Sequence, residues 1–320
     1  SIISLPEQLK DIWKGCGGTN GTNSALKLGV RLDLLNGQLN GPLLEHGKCS
    51  DKGSLINKDI PEPGGLRIGD LGFFSIDKFK EIDDNKSFFM SRWHVQTNLY
   101  TTEHEKIDMV ALLKDKTVFE MDVLLSAKKL PVRLIAIKVP ENEIKKRQDK
   151  IQEESRKSCR AVNSLREQLI DFNIYLTNVP DTLLTLKEII VLMKARWQIE
   201  LLFKLWKNEC KIDEWRTAKP FRILSEVYAK LIAMVIQHWL LLISCWSDFE
   251  RSLTKAVKII QKNISILVCD FSKNDFDNIE QTLEYISNLF QGGIKINKRS
   301  AKQTTAQLLN DPESLNYFLG

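Results

Sequence analysis

Arg196, Glu200, Lys204 and Lys207 recur every three or four residues in a chain segment otherwise crowded with large apolar side chains. On a helix at about 100° per residue, with Arg196 at zero, Glu200 falls at about 40°, Lys207 at about 20° and Lys204 at about 80°. Trp197, Ile199, Leu201, Leu202, Phe203, Leu205 and Trp206 fill almost all of the remaining circumference. A helix apolar nearly all round is expected to be buried, and a buried carboxylate needs a partner to stay ionised. Two readings follow. Either Arg196 and Glu200 form an i,i+4 ion pair that tolerates burial, or Glu200 binds a metal ion while Arg196 and Lys207 hold phosphates.

Asp70 is the second carboxylate. It follows the run Leu66-Arg67-Ile68-Gly69 and leads into Leu71-Gly72-Phe73-Phe74-Ser75. Ligands gather outside the carboxyl ends of strands in α/β sheets, so this place suits a site. Asp ahead of a glycine turn is equally ordinary turn chemistry. His238 lies in the apolar stretch 228–246 and reads as a core histidine with a hydrogen-bond partner.

These residues need elements to hold them. Leu26, Leu28, Val30 and Leu32 alternate at period two, and Asn36-Gly37 follows as a hairpin signal, so strands are expected over 25–33 and 38–44. A short buried strand over 66–70, ending on the acid Asp70, a helix over 76–84 and a strand over 87–93 come next. Strands are expected at 109–113, 118–125, 132–139 and 172–177, and a helix spans 186–208. The charged segment 141–160 carries Lys145, Lys146, Arg147, Lys150, Arg156, Lys157 and Arg160. It reads as a solvated face, with phosphate contact as the alternative. Beyond residue 177 the pattern is mainly helical.

Composition bounds the rest. The 320 residues are 43% hydrophobic and 27% charged, which suits a folded, water-soluble protein and argues against a membrane bundle. Stretch 228–246 is nearly long enough to span a bilayer, but Lys230, Gln237 and His238 make a buried core helix the better reading. Lys and Arg outnumber Asp and Glu by 46 to 41, a net charge of +5 that permits a polyanionic partner without demanding one. Cys16, Cys49, Cys159, Cys210, Cys245 and Cys269 contain no C-x-x-C pair. Neither a zinc ribbon nor a redox dithiol is suggested, and reduced thiols point to a cytoplasmic location. The opening residues form no secretory signal.

Gly69-Asp70-Leu71-Gly72-Phe73-Phe74-Ser75 resembles the segment around the second acid of bacterial insertion-sequence transposases of the DDE class. Arg196-x3-Glu200-x6-Lys207 resembles the Tyr-x2-Arg-x3-Glu-x6-Lys signature of their cut-and-paste group. Thr177-Asn178-Val179-Pro180 is similar to the strand that precedes the Glu helix in that family. The likeness covers most of residues 1–215.

The resemblance implies an α/β fold: an RNase H-like catalytic core with its first strand missing, interrupted by a β-rich insertion and followed by a helical C-terminal region. Residues 1–93 and 171–215 would be the two parts of the core, 94–170 the insertion with its basic segment, and 216–320 the helical region. It implies Asp70 and Glu200 as catalytic, metal-binding acids served by a pair of Mg²⁺ ions, with Mn²⁺ able to substitute. Arg196, Lys207 and Arg92 would contact DNA. Trp93 would stack on an unpaired base or pack in the core. The partners implied are double-stranded DNA, at transposon ends and target, and a second copy in the DNA complex, with no membrane.

Two departures stand out. Met193 occupies the position of the signature Tyr, so an apolar contact is kept and a hydroxyl lost. The family's first acid should end a strand that precedes Ile2. Asp33, in the following hairpin, is no substitute. The chain therefore reads as a fragment, inactive by itself, with an Asp expected within a few residues upstream of Ser1 in the parent gene. An RNase H-like nuclease without strand transfer, or a non-catalytic DNA-binding remnant, are the other readings.

Overall fold

Period-two strands and a long helical tail do appear in the chain. The fold is given by a computed structural model that describes residues 1–17, 22–158, 163–217, 219–246, 251–274, 276–296 and 303–315. Cys159 and Arg160 lie outside the described residues. In chain order the strands are β1 (Ile2–Ser4), β2 (Ala25–Leu32), β3 (Leu39–His46), β4 (Leu66–Ile68), β5 (Phe88–Arg92), β6 (Leu99–Tyr100), β7 (Val118–Leu125), β8 (Leu130–Lys138) and β9 (Phe172–Thr177). The helices begin with α1 (Ile76–Asp84), α2 (Met109–Leu113), α3 (Glu141–Ser158), α4 (Ser164–Gln168) and α5 (Leu186–Ala195). They end with α6 (Gln198–Asn208), α7 (Pro220–Cys245), α8 (Leu253–Ser272), α9 (Phe276–Gly293) and α10 (Thr305–Asn310). The fold is mixed α/β, and its residues group into two compact units.

Ser1–Ile56 and Trp197–Ala301 make one unit. Its antiparallel sheet has the order β1-β2-β3. The period-two face of β2 lands on helices: Leu26 and Leu28 pack in one cluster with Ile3, Leu202, Trp206 and Ile223. At the hairpin tip, Gly37 takes a φ of +75°, which a side chain would resist. The Asp33 carboxylate closes the same turn, accepting from the backbone N–H groups of Leu35 (2.8 Å) and Asn36 (3.2 Å).

In α7 the expectation of a buried core helix holds on one side only. Ile223, Val227, Leu231, Met234, His238 and Leu241 are buried, whereas Phe221, Ile232, Trp239 and Ile243 stand exposed. Apolar residues fill most of the circumference of the helix, but the sheet and α8 to α9 cover a single face. It is the one helix among the described residues long and apolar enough to cross a membrane, and 39% of its most apolar stretch is buried. His238 is 2% exposed, and its Nε2 lies 2.7 Å from the Gly37 carbonyl oxygen, so it is a core histidine with a hydrogen-bond partner.

Asn57–Arg196 and Lys302–Gly320 make the other unit. Its six-stranded sheet has the order β4-β5-β9-β8-β7-β6, parallel between β4 and β5 and antiparallel elsewhere. Strands from the 94–170 stretch thus extend the sheet that carries β4, β5 and β9. Ser75 caps α1 by accepting from the Lys78 N–H, and Phe79 on that helix stacks on Phe89 of β5 at 4.2 Å between ring centres. Trp93 is buried, its indole N–H donating to the Thr97 carbonyl at 3.0 Å, so the core-packing reading is the one realised.

Two expected elements change. Residues 109–113 form helix α2 and not a strand, because the Asp108 side chain accepts from the Val110 and Ala111 N–H groups and starts a helical turn. The expected helix over 186–208 divides at Arg196–Trp197. There the Glu200 and Leu201 N–H groups both bond the Trp197 carbonyl, at 3.0 and 3.1 Å, so an i,i+3 bond joins the usual i,i+4 one.

Candidate active site

The polypeptide leaves β4 at Ile68, and the Gly69 N–H donates to the Met90 carbonyl of neighbouring β5 at 3.0 Å. This fixes where Asp70 begins. Residues Leu71–Phe73 then make one 3-10 turn, closed by the Phe73 N–H donating to the Asp70 carbonyl at 2.9 Å. The Asp70 side chain caps nothing in that turn. Its carboxylate is 54% exposed, and an oxygen lies 3.7 Å from Nη1 of Arg196, itself 12% exposed. The turn-chemistry reading therefore fails for this side chain, which is spent on no local backbone group.

Arg196 reaches that place because α5 is firmly started and firmly packed. Thr185 and Glu188 form a reciprocal capping box at its N-terminus. Ile189, Ile190, Val191 and Met193 are buried with Tyr175, Ile135 and Leu308. Met193 is thus a packing residue. Upstream, the buried Arg133 donates to the carbonyls of Val179 (2.9 Å) and Leu184 (3.0 Å), pinning the connection from β9 to α5.

Asn178 serves as a bracket that type and spacing did not reveal. Its side-chain oxygen accepts from the Phe89 N–H at 2.8 Å, while its amide donates to Asp83 (2.8 Å) and to the Ser87 carbonyl (3.0 Å). Thr177 donates its hydroxyl to the Phe89 carbonyl at 2.6 Å. The Thr177-Asn178 pair therefore stitches β9 to β5 and to the end of α1, the elements flanking Asp70.

In the other unit, Glu200 sits in the first turn of α6, where the helix dipole favours an anion, and Lys207 in its last turn, where it favours a cation. The Lys207 ammonium donates to the Ile2 carbonyl at 3.3 Å. Both side chains are half-buried, and Lys204 lies over the Trp197 ring at 4.8 Å. The expected all-round burial is corrected here: Trp197 and Leu201 are exposed, because α6 packs only its Leu202, Leu205 and Trp206 side. Asp70, Arg92 and Arg196 thus belong to one unit, and Glu200 and Lys207 to the other.

Arg92 ends β5 and is exposed, directly opposite Tyr175 of β9 in the ladder. Tyr175 is 6% exposed, and burial pushes its phenol up, against the opposing fields of Arg92, Arg147 and Arg196. Along α3 the charges are mostly solvated, as expected, but Arg147 is half-buried. Arg147 and Tyr175 were not singled out by the sequence, although Ile144, Arg147 and Ile151 share one helix face, which is a readable signal.

A family profile described as "Transposase DDE domain" matches residues 1–236. Among curated proteins, the chain is 26% identical to the transposase for insertion sequence element IS231F of Bacillus thuringiensis subsp. israelensis, over 97% of this chain and 70% of that protein. It is 27% identical to the transposase for IS231E of Bacillus thuringiensis subsp. finitimus, with the same coverage. It is also 27% identical to the transposase for IS1151 of Clostridium perfringens, over 96% of this chain and 70% of that one.

Proposed function

The chain belongs to the family of transposase DDE domains, and on that premise we propose that it cleaves DNA at the ends of an insertion sequence and joins the freed ends to a target by a cut-and-paste route. The similar proteins are named as transposases for insertion sequence elements, which supports this substrate. The observation that carries the reading is the Asp70 carboxylate. It is unspent on its own turn, open to solvent, and matched to the Arg196 that opens the Arg-x3-Glu segment. In this reading residues 1–93 and 171–215 build an RNase H-like core, 94–170 are inserted and 216–320 appended. The enzyme works in the bacterial cytoplasm, one copy at each transposon end.

Asp70 and Glu200 would hold the metal ions. Mg²⁺ prefers hard oxygen donors and binds through one or two carboxylates while keeping water and substrate phosphate, and each of these side chains offers a carboxylate. When bound, such ions supply Lewis-acid polarisation of the scissile phosphate. Among the described residues no three His, Cys, Asp or Glu side chains group so as to hold a metal. The same reading includes a third acid, as the family resemblance implies. Arg196, Lys207 and Arg92 grip the DNA backbone by charge, which positions the strand without reading its sequence.

The test assays end cleavage with Mg²⁺ by the full product of the parent gene. Cleavage and joining are expected, and Glu200→Gln should abolish both while DNA binding persists. Full activity in that variant would overturn the role of Glu200. Cleavage without joining in a plasmid integration assay would instead indicate a nuclease. Binding indifferent to Mg²⁺ and to Asp70→Ala, without cleavage, would indicate a DNA-binding remnant.

A further inference from the structure

Arg147 is an unusual cation for a helix whose other basic residues are mostly exposed. Its guanidinium donates to the carbonyls of Ile170 (3.1 Å) and Phe172 (3.2 Å) and to Oδ1 of Asn173 (2.7 Å). None of these acceptors carries charge, and among the described residues no carboxylate pairs with it within ion-pair distance. The acids whose fields reach it have other partners: Glu143 bonds Lys146 at 2.7 Å and Asp171 lies 3.7 Å from Lys138. A half-buried guanidinium without a counter-ion carries a desolvation cost that an anion would relieve.

That charge sits beside a second and a third. Asn173 and Tyr175 are two apart on β9 and so share a face, about 7 Å along the strand. Arg92 faces Tyr175 across the ladder. The Arg92 side chain makes no hydrogen bond or ion pair among the described residues, and neither does the Tyr175 hydroxyl, although Tyr175 is 6% exposed. Burial pushes the phenol above its ordinary range, so it is a neutral O–H donor. Burial, and then the field of Arg92, pull Arg147 down from its ordinary value; like charges crowd there without an anion between them. Arg196 acts on the same hydroxyl and also pairs with Asp70.

We propose that Arg92, Arg147 and the Tyr175 hydroxyl form a seat for one backbone phosphate of the DNA strand, next to the phosphate presented to Asp70. The inference rests on the DNA-cleaving reading and adds the residues that fix the strand's position. Two donor-only guanidiniums and a phenol O–H converge there, which suits the oxygens of a phosphate better than a base edge. Because Arg196 touches Asp70 and feels Tyr175, a strand lying along it meets both places. Arg147 and Tyr175 are positioning residues in this scheme; the bond-breaking groups lie elsewhere.

The test titrates the 320-residue chain with a short DNA duplex of arbitrary sequence over a range of salt. Each phosphate contact adds about 0.9 to the slope of log K against log salt. Arg92→Gln and Arg147→Gln should each lower the slope by about that amount, and Arg147→Lys should restore it. Tyr175→Phe should weaken binding about tenfold at unchanged slope, with an unchanged melting temperature. If Arg147→Gln does not fold, Arg92→Gln and Tyr175→Phe decide. Unaltered slope and affinity in folded Arg92→Gln and Tyr175→Phe would overturn the seat. Asp70→Asn in the full product of the parent gene separates the two ideas, since lost cleavage there upholds the cleaving reading whatever becomes of the seat.

Discussion

The carboxylate of Asp70 lies 3.7 Å from the guanidinium of Arg196, the acid more than half exposed and the arginine almost wholly enclosed. A pair with one partner in water contributes little to folding, because solvent screens the charge it offers. The asymmetry has a use. An enclosed arginine is held in place by packing, while an open carboxylate remains accessible to a cation or a phosphate-bound water.

Asp70→Asn should therefore lower the unfolding free energy by less than about 1 kcal/mol. Urea unfolding of the two proteins at the same pH measures it. A loss of about 3 kcal/mol or more would mark Asp70 as a structural acid.

Asn178→Ala should be the costlier change, although it touches no proposed ligand. It leaves the Phe89 N–H without its acceptor and releases Asp83 and the Ser87 carbonyl. A loss of about 2–3 kcal/mol is expected from such a multiply bonded group. The urea midpoint reads it directly, and a shift worth less than about 0.5 kcal/mol would show that the bracket is dispensable.

Gly37→Ala should destabilise the hairpin tip by about 2–5 kcal/mol, adding backbone strain to overpacking. The new Cβ would stand 2.1 Å from Cε2 of Trp246, at a φ of +75°. Gly64 provides the control, with a φ of +80° and nothing within 4 Å. Gly64→Ala should lose only the strain, about 1–2 kcal/mol. Equal losses in thermal unfolding would show that the Trp246 contact carries no cost.

His238 should make stability fall in acid. Burial holds its pKa below the ordinary 6.5, partly offset by the bond to the Gly37 carbonyl. The neutral ring is the form the fold prefers, so its contribution is fully present above pH 6.5. It is lost as pH drops from there through the folded value, since the unfolded chain takes up the proton first. Denaturant midpoints between pH 5 and 7.5 should fall less in His238→Gln than in the parent chain. Parallel curves would show that another group governs this range.

The strands and the acids were legible for different reasons. β7 and β9 show as β-branched and aromatic runs, and α1 as an amphipathic stretch after Ser75, so their bounds could be read from periodicity. Asp70 and Glu200 stood out by type and spacing. Residues 109–113 misled because a short apolar run is ambiguous, and Asp108 decides it by capping. The division between α5 and α6 is a backbone adjustment of a continuous apolar pattern, with no Gly or Pro to announce it. Arg147 was hidden within a charge run, since no single residue in such a run declares which carbonyls it will reach.

The six-stranded sheet ends on one side in three residues of β4 and on the other in two residues of β6. Borders this short leave few open amide groups, so a stray polypeptide finds almost no rail on which to zip itself. Strand addition at this sheet is thereby discouraged, and the turn bearing Asp70 springs from a border unlikely to be overgrown by aggregation.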